Sequence, residues 1–430
     1  MMWKTLTGML INLYGKTWNV GLGELCLPQF SENKIFRIIW NSPTQICKDT
    51  FDISLNLHKY GIEANPEDRW FGSLINIFYD TKFGEWPMIL PVGGHSEKMI
   101  NGGIPQRANL SVHLERVRKS VEEIIPDVNF KGFGVLDIQR YRTRWEDIQW
   151  HPYNIYREEI LKYHNEKGKD KNVSIGINKN LVKEEYNSAT RQFFERTLEL
   201  LTQLRPKAKW GFYSYPRGSR KWNSPNEDKI ITNQTRELSW LYEASSALYP
   251  SVYPNRLSLP DMTERLLYNL KAMHEALKVS NNRQKGEIPV FPYSRYHYTH
   301  EKFPSFVSPN EYGILMRMAF DMGTDGMIIW DSSDNIGNCS LVNKYVKSVI
   351  GPTAMNIIKY AKSCSDINCN GNGKCILDHF YDNRHLTEEQ LRQYITSLND
   401  KNYWQIRIYS SRYKCRCKTA WRGKNCDENN

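Results

Sequence analysis

The 430-residue chain has no run approaching the ~20 consecutive apolar residues of a transmembrane helix. It also has no zinc-finger spacing, RNP-type motif or phosphate-binding glycine loop, which argues against nucleic acid and nucleotides as partners. Collagen-like and coiled-coil repeats are missing as well. Cysteine is sparse over most of the length: only Cys26, Cys47 and Cys339 precede Cys364. What is present is a hydrophobic fraction of 40% and an aromatic fraction of 13%, enough for a packed core. The 58 Lys and Arg against 47 Asp and Glu give a net charge of +11, which suits either a polyanionic partner or an ordinary solubilising surface.

The other six cysteines, Cys364, Cys369, Cys375, Cys415, Cys417 and Cys426, crowd the last 67 residues. Six cysteines in so short a stretch read as a disulfide framework, because a small segment cannot bury much of a core. A zinc cluster is the competing reading, but no histidines stand at ligand spacing beside them. The C-x-C, aromatic, Gly, C ending from Cys415 to Cys426 resembles an epidermal-growth-factor-like module, whose pattern implies Cys364–Cys375, Cys369–Cys415 and Cys417–Cys426. The 39 residues between Cys375 and Cys415 form an unusually long insert. Within it, Thr387-Glu-Glu-Gln390 reads as a capping box stapled by Leu386 and Leu391, predicting a helix over Glu388–Leu398. Asn109, Asn172, Asn233 and Asn338 each begin an N-x-Ser/Thr acceptor for glycosylation. Acceptors and disulfides together predict a secreted or extracellular protein, with residues 1–34 as an N-terminal segment weakly resembling a signal peptide.

Seven short apolar, β-branched or aromatic segments read as strands: 36–40, 74–79, 132–137, 210–215, 248–253, 288–293 and 326–330. Amphipathic stretches at 110–125, 189–204, 261–279 and 308–322 lie among them. Strand and helix in alternation predict an α/β fold, a distorted seven-stranded (β/α) TIM-like barrel over residues 35–360, followed by the disulfide-rich tail at 361–430. A doubly wound open sheet is the alternative. The barrel is preferred because polar and aromatic residues recur where the strands end: Asn41, Tyr79, Asp137 with Gln139, Tyr213, Tyr253, Tyr293 and Trp330. Rings with a few acidic groups suit carbohydrate, since sugar C–H faces pack on aromatics while hydroxyls hydrogen-bond.

Trp40-Asn41-Ser-Pro-Thr, Ile77-Phe-Tyr79, Asn101-Gly-Gly-Ile-Pro-Gln106, Gly134-Val-Leu-Asp137, Trp210-Gly-Phe-Tyr213, Ala247-Leu-Tyr-Pro-Ser-Val-Tyr253 and Asp325-Gly-Met-Ile-Ile-Trp330 resemble the hyaluronidases, endo-glycosidases of hyaluronan and often chondroitin. The resemblance implies a groove across the barrel's C-terminal face, a Cys47–Cys339 bridge, and an acidic polysaccharide as partner of a monomeric, cofactor-free and metal-free protein. It leaves Cys26 without a partner, and the loop at 216–220 lacks the family's second barrel disulfide. In residue roles it implies Asp137, Tyr213 and Tyr253 around the cleavage point, with Asn41, Tyr79, Arg142, Tyr293 and Trp330 lining the groove.

One position departs. The family's catalytic strand ends Asp-x-Glu, whereas this chain reads Asp137-Ile138-Gln139. Alternation along a strand aims residues 137 and 139 at one face. In the family, the substrate's acetamido oxygen attacks while the Asp orients it and the Glu acts as acid and base; such substrate-assisted cases depart from the two-carboxylate rule. Gln139 has no proton to give near neutral pH. The sequence therefore favours a glycosaminoglycan-binding protein with impaired hydrolysis. Competing readings are an active hyaluronidase drawing a proton from Glu146, Asp147 or Asp331, and an accessory protein that no longer binds sugar.

Overall fold

The computed structural model describes residues 34–93, 96–170, 178–217, 227–301, 305–332, 338–381, 386–398 and 412–429. The strands are β1 (Arg37–Trp40), β2 (Glu63–Ala64), β3 (Ile75–Tyr79), β4 (Met88–Gly93), β5 (Ser96–Ile100), β6 (Phe133–Asp137), β7 (Lys209–Phe212), β8 (Tyr293–Arg295), β9 (Gly326–Trp330), β10 (Gly373–Leu377), β11 (Tyr413–Cys417), β12 (Trp421–Arg422) and β13 (Glu428–Asn429). The helices are α1 (Gln45–Phe51), α2 (Leu110–Ile124), α3 (Asn154–Asp170), α4 (Lys179–Leu204), α5 (Glu227–Glu237), α6 (Ser239–Ala244), α7 (Met262–Asn281), α8 (Pro309–Asp321), α9 (Cys339–Tyr345), α10 (Gly351–Asn368), α11 (Asp378–Tyr381) and α12 (Glu388–Leu398).

The fold is α/β, and its central strands are parallel, but their ladders do not run as one sheet. They form a four-stranded sheet, β2-β1-β9-β8, and a three-stranded sheet, β3-β6-β7. The seven expected strands are therefore split between two ladders, and their membership differs from the expectation. The stretch 248–253 contributes only isolated bridges, Tyr213 to Tyr249, Leu248 to Val290 and Ser251 to Tyr293, and 288–293 becomes a strand only at its last residue. Proline explains this correction. Pro250, Pro289 and Pro292 have no N–H to donate and serve only as acceptors, from Tyr293 N, Leu248 N and Ile328 N. A side chain takes over where β2 leads towards β3: Asn65 accepts from Leu74 N and Ile75 N at 3.0 and 3.1 Å and donates to Ile75 O at 2.8 Å.

The strands are buried on both faces, as expected for a parallel sheet covered by helices. A Cβ on Gly134 would lie 2.1 Å from the Trp210 ring, so only glycine lets the fully buried indole cross β6. α2 carries His113, Val117 and Val121 inward at helical spacing and is capped by the Asn109 side chain on Val112 N. α4 starts ten residues before the predicted stretch, at Lys179, capped by Asn178.

Four disulfides join Cys47 to Cys339, Cys364 to Cys375, Cys369 to Cys415 and Cys417 to Cys426, the pairs the resemblance implies. Cys26 lies outside the described residues. Residues 33–430 form one compact unit, and the tail shares its core: Ile376, Leu377, Phe380, Leu391, Ile395 and Leu398 belong to the same apolar cluster as the central strands. α12 spans the predicted Glu388–Leu398. Its capping box closes both ways, with Thr387 N donating to Gln390 Oε1 at 2.8 Å and Gln390 N to Thr387 Oγ1 at 3.2 Å.

Candidate functional site

Parallel strands place their C-terminal ends on one side, so residues ending different strands meet there. Tyr79 ends β3 and stands in register with Asp137, which ends β6. Trp330 ends β9, Asn41 follows β1 and Tyr213 follows β7; Tyr293 opens the short β8. The structure brings these into one aromatic cluster. The Tyr213 ring lies 5.7 Å from that of Tyr253 and 5.4 Å, edge-on, from that of Tyr293. Tyr253 stacks on Trp330 at 5.8 Å with 6° between planes. Tyr293 donates to Asn41 Oδ1 at 3.0 Å, and the Tyr213 hydroxyl is 3.0 Å from Ser251 Oγ.

At the centre, the Gln139 amide donates to both oxygens of Asp137, at 2.8 and 3.1 Å. Asp137 is 5% exposed whereas Gln139 is exposed, so the amide covers the carboxyl from the solvent side. Burial pushes the Asp137 pKa up to about 7; the hydrogen bond from Gln139 opposes this, the charge of Asp80 adds to it, and Arg142 and Arg140 oppose it. Tyr79, Tyr213, Tyr253 and Tyr293 are all raised, first by burial, and remain neutral hydrogen-bonding groups.

Arg142 sits one step away. Its guanidinium lies 4.0 Å from the centre of the Tyr153 ring and donates to the Tyr153 hydroxyl, which in turn donates to Gln139 O at 3.1 Å. Burial, then the nearby Arg217, lowers its pKa from the usual arginine value.

The three alternative carboxylates are otherwise engaged. Glu146 pairs with Lys183 at 2.5 Å, and Asp147 faces Arg144 at 3.5 Å. Asp331, fully buried, takes Arg295 Nε at 2.9 Å and His297 Nδ1 at 2.8 Å. Asp80, which the sequence reading passed over, accepts from the backbone of Gln139 and Arg140 and pairs with the Arg140 side chain at 2.7 Å.

Asp80 and Ser251 carried a readable signal. Asp80 directly follows a strand-terminal tyrosine, and Ser251 precedes Tyr253 by two, on the same face. Tyr153 carried none, since it lies in a turn just before α3. Of the glycosylation acceptors, Asn109, Asn233 and Asn338 are exposed, and Asn172 lies outside the described residues.

The hyaluronidase family model matches residues 26–430. The chain belongs to the hyaluronidase family. It is 29% identical to a hyaluronidase of Echis ocellatus over 420 residues, covering 92% of this chain and 91% of the relative. It is 28% identical to human hyaluronidase-4 over 417 residues, covering 92% and 84%. Bee venom hyaluronidase, solved in complex with a hyaluronic acid tetramer, superposes with a TM-score of 0.69 at 28% identity over 75% of this chain and 99% of that one. The family is one of glycoside hydrolases, and the α/β fold described above agrees with the match. No helix among the described residues is long and apolar enough to cross a membrane.

Proposed function

We propose that this family member binds hyaluronan, and chondroitin, in the groove over the strand ends, and that its hydrolytic step is impaired because Gln139 stands where the acid/base glutamate is expected. One observation carries the reading: the group facing the Asp137 carboxyl is a primary amide, donating at 2.8 and 3.1 Å. An amide has no proton to give a leaving oxygen near neutral pH and cannot take one from water. Proton transfer by a placed group contributes typically about 10²–10⁴-fold to a rate. Glu146, Asp147 and Asp331 are each held by basic side chains, which speaks against a substitute donor.

Binding needs none of that chemistry. Asp137 accepts the acetamido N–H and orients its oxygen towards the anomeric carbon. Tyr213 and Tyr253 hold the sugar at the cleavage point, and Trp330, stacked on Tyr253, walls the acetamido group. Arg142 meets the uronate carboxylate, as a planar guanidinium does well. Asn41, Tyr79 and Tyr293 complete the lining. Gln139 can still hydrogen-bond the glycosidic oxygen. The protein acts as an extracellular monomer without metal or cofactor. It has an epidermal-growth-factor-like tail over 361–430 behind the barrel of 35–360, and glycans at Asn109, Asn172, Asn233 and Asn338.

The test is incubation with long hyaluronan, reading binding by pull-down and chain length by gel electrophoresis. Salt-sensitive binding with unchanged chain length is expected. Shortening at ordinary hyaluronidase rates overturns the impairment, and salt-insensitive or absent binding overturns the charged groove.

A further inference from the structure

A complete ion pair stands beside one aromatic residue of the proposed site, and neither binding nor hydrolysis as described above uses it. Asp331 follows Trp330 at the end of β9 and is fully buried. Its Oδ1 accepts from Arg295 Nε and Ser332 N at 2.9 and 2.7 Å. Its Oδ2 accepts from His297 Nδ1 and His297 N at 2.8 and 3.2 Å. Arg295 and Trp330 are partners in the parallel ladder of β8 and β9, so their side chains leave the sheet on one face. Tyr293, two residues before Arg295, shares that face and reaches Asn41 in the site. The Arg295 guanidinium accordingly stands 5.4 Å from the centre of the Trp330 ring, within cation–π reach, while Tyr253 stacks on the same indole. Its charge is felt at the Tyr213 hydroxyl, where it opposes the rise that burial causes. His297 packs on Phe306 and Tyr296, and Tyr296 in turn stacks on Trp40 with its hydroxyl 3.1 Å from Ser42 Oγ. One carboxylate thus ties the ends of β1, β8 and β9 together.

A buried ion pair is weak support for stability, since apolar side chains of the same volume often serve as well. What Asp331 supplies is direction: it fixes where the guanidinium points, and the planar guanidinium fixes one ring. In the polysaccharide-binding reading above, that ring is the wall for the acetamido group. Resting on that reading, we propose that Asp331 and Arg295 are positioning residues that hold Trp330 rigidly, so that the wall fits an N-acetyl group and rejects a larger acyl group on the hexosamine nitrogen. A wall free to turn loses that discrimination, and some affinity with it, because a contact group works only where its supporting shell fixes it.

The test labels the protein with 5-fluorotryptophan, assigns the Trp330 resonance through Trp330→Phe, and compares Asp331→Asn and Arg295→Lys by fluorine NMR. Asp331→Asn is expected to shift or broaden the Trp330 resonance while tryptophans remote from the pair stay in place. Arg295→Lys keeps the buried pair and the melting temperature yet moves the same resonance, because an ammonium does not stack as a guanidinium does. Should Asp331→Asn not fold, Arg295→Lys carries both readouts. Binding is then measured with size-matched hyaluronan oligosaccharides carrying N-acetyl or N-propionyl groups. The unmodified protein is expected to favour N-acetyl about tenfold, the low end of what one extra methylene costs in a fitted pocket, and both variants narrow that preference. A Trp330 resonance unmoved in the variants overturns the positioning role, as does a full preference for N-acetyl in variants that merely melt earlier. Equal binding of the two oligosaccharides by the unmodified protein overturns the rigid wall alone. Failure of the unmodified protein to bind either overturns the polysaccharide reading and the acyl selectivity with it, and the resonance then decides the positioning role by itself.

Discussion

Replacing Asp137 by Asn should make the protein more stable above pH 7 and worse at binding sugar. The Asp137 carboxyl is buried at the end of β6 and its pKa stands at about 7, against 3.8 for the free side chain. A raised acid pKa means the folded state holds the proton more tightly than the unfolded chain. Stability therefore falls as pH rises from about 4 to about 7, and the full penalty applies above that. About three pKa units at 1.36 kcal/mol each put that penalty on the order of 4 kcal/mol. The amide of Asp137→Asn never ionises, and its oxygen can still accept from Gln139, so most of the penalty disappears. Urea unfolding at pH 4.5, 6 and 8 should show a gain of about 2–4 kcal/mol at pH 8 that shrinks towards zero at the acid end. Hyaluronan binding should weaken in the same variant, because the acceptor for the acetamido N–H is neutralised. A loss of stability at pH 8, or a change independent of pH, refutes the reasoning. It would mean that Gln139, Arg140 and Arg142 more than compensate the buried charge.

Three further outcomes follow from the packing. Asp321, fully buried, accepts from Arg317 Nε and the Tyr413 hydroxyl at 2.9 and 2.7 Å and from the Tyr394 hydroxyl at 2.9 Å. Asp321→Ala should cost about 3–5 kcal/mol by removing the carboxylate that balances a buried guanidinium, with faster hydrogen exchange in β10 and β11 as the local readout. Reduction-proof Cys47→Ser with Cys339→Ser opens a bridge of sequence separation 292 and should cost about 2–5 kcal/mol in thermal or denaturant melts. Thr387→Ala removes one arm of the capping box and should cost about 1 kcal/mol, with exchange accelerated at the first amides of α12 and binding unaffected.

Much of this architecture could be read from the residues because local and global signals agree. β1, β3, β6 and β9 are short apolar runs buried on both faces, and each ends near a polar or aromatic group that has nowhere to go but the site. The capping box at Thr387 fixed α12 to the residue, since its two hydrogen bonds are local. Other elements escaped for physical reasons. α3 and the first half of α4 pack only a small outer cluster, with Tyr156, Ile160, Val182 and Tyr186 as their contribution, so a largely polar surface hid the helical period. α10 runs from Gly351 to Asn368, and its buried Ala361, Cys364 and Ser365 carry the helix into the cysteine-rich tail. The apparent strand at 248–253 has the right side chains, but Pro250 and the prolines opposite remove donors a ladder requires. In the site, most strand-end residues were visible, while Asp80, just past the end of β3, was passed over and Tyr153 came from a turn whose composition says nothing about what it faces.

The central claim is that one uncharged side chain separates this binding groove from a working enzyme. It is tested most directly by measuring depolymerisation of hyaluronan by the unmodified protein and by Gln139→Glu across pH 4 to 8. With glutamate restored beside Asp137, two carboxyls share a site and hold one proton between them, so turnover should peak at acidic to neutral pH. The account predicts negligible turnover by the unmodified protein and a gain of at least about 10²-fold in Gln139→Glu. Equal turnover by the two proteins, at ordinary hyaluronidase rates, would contradict it.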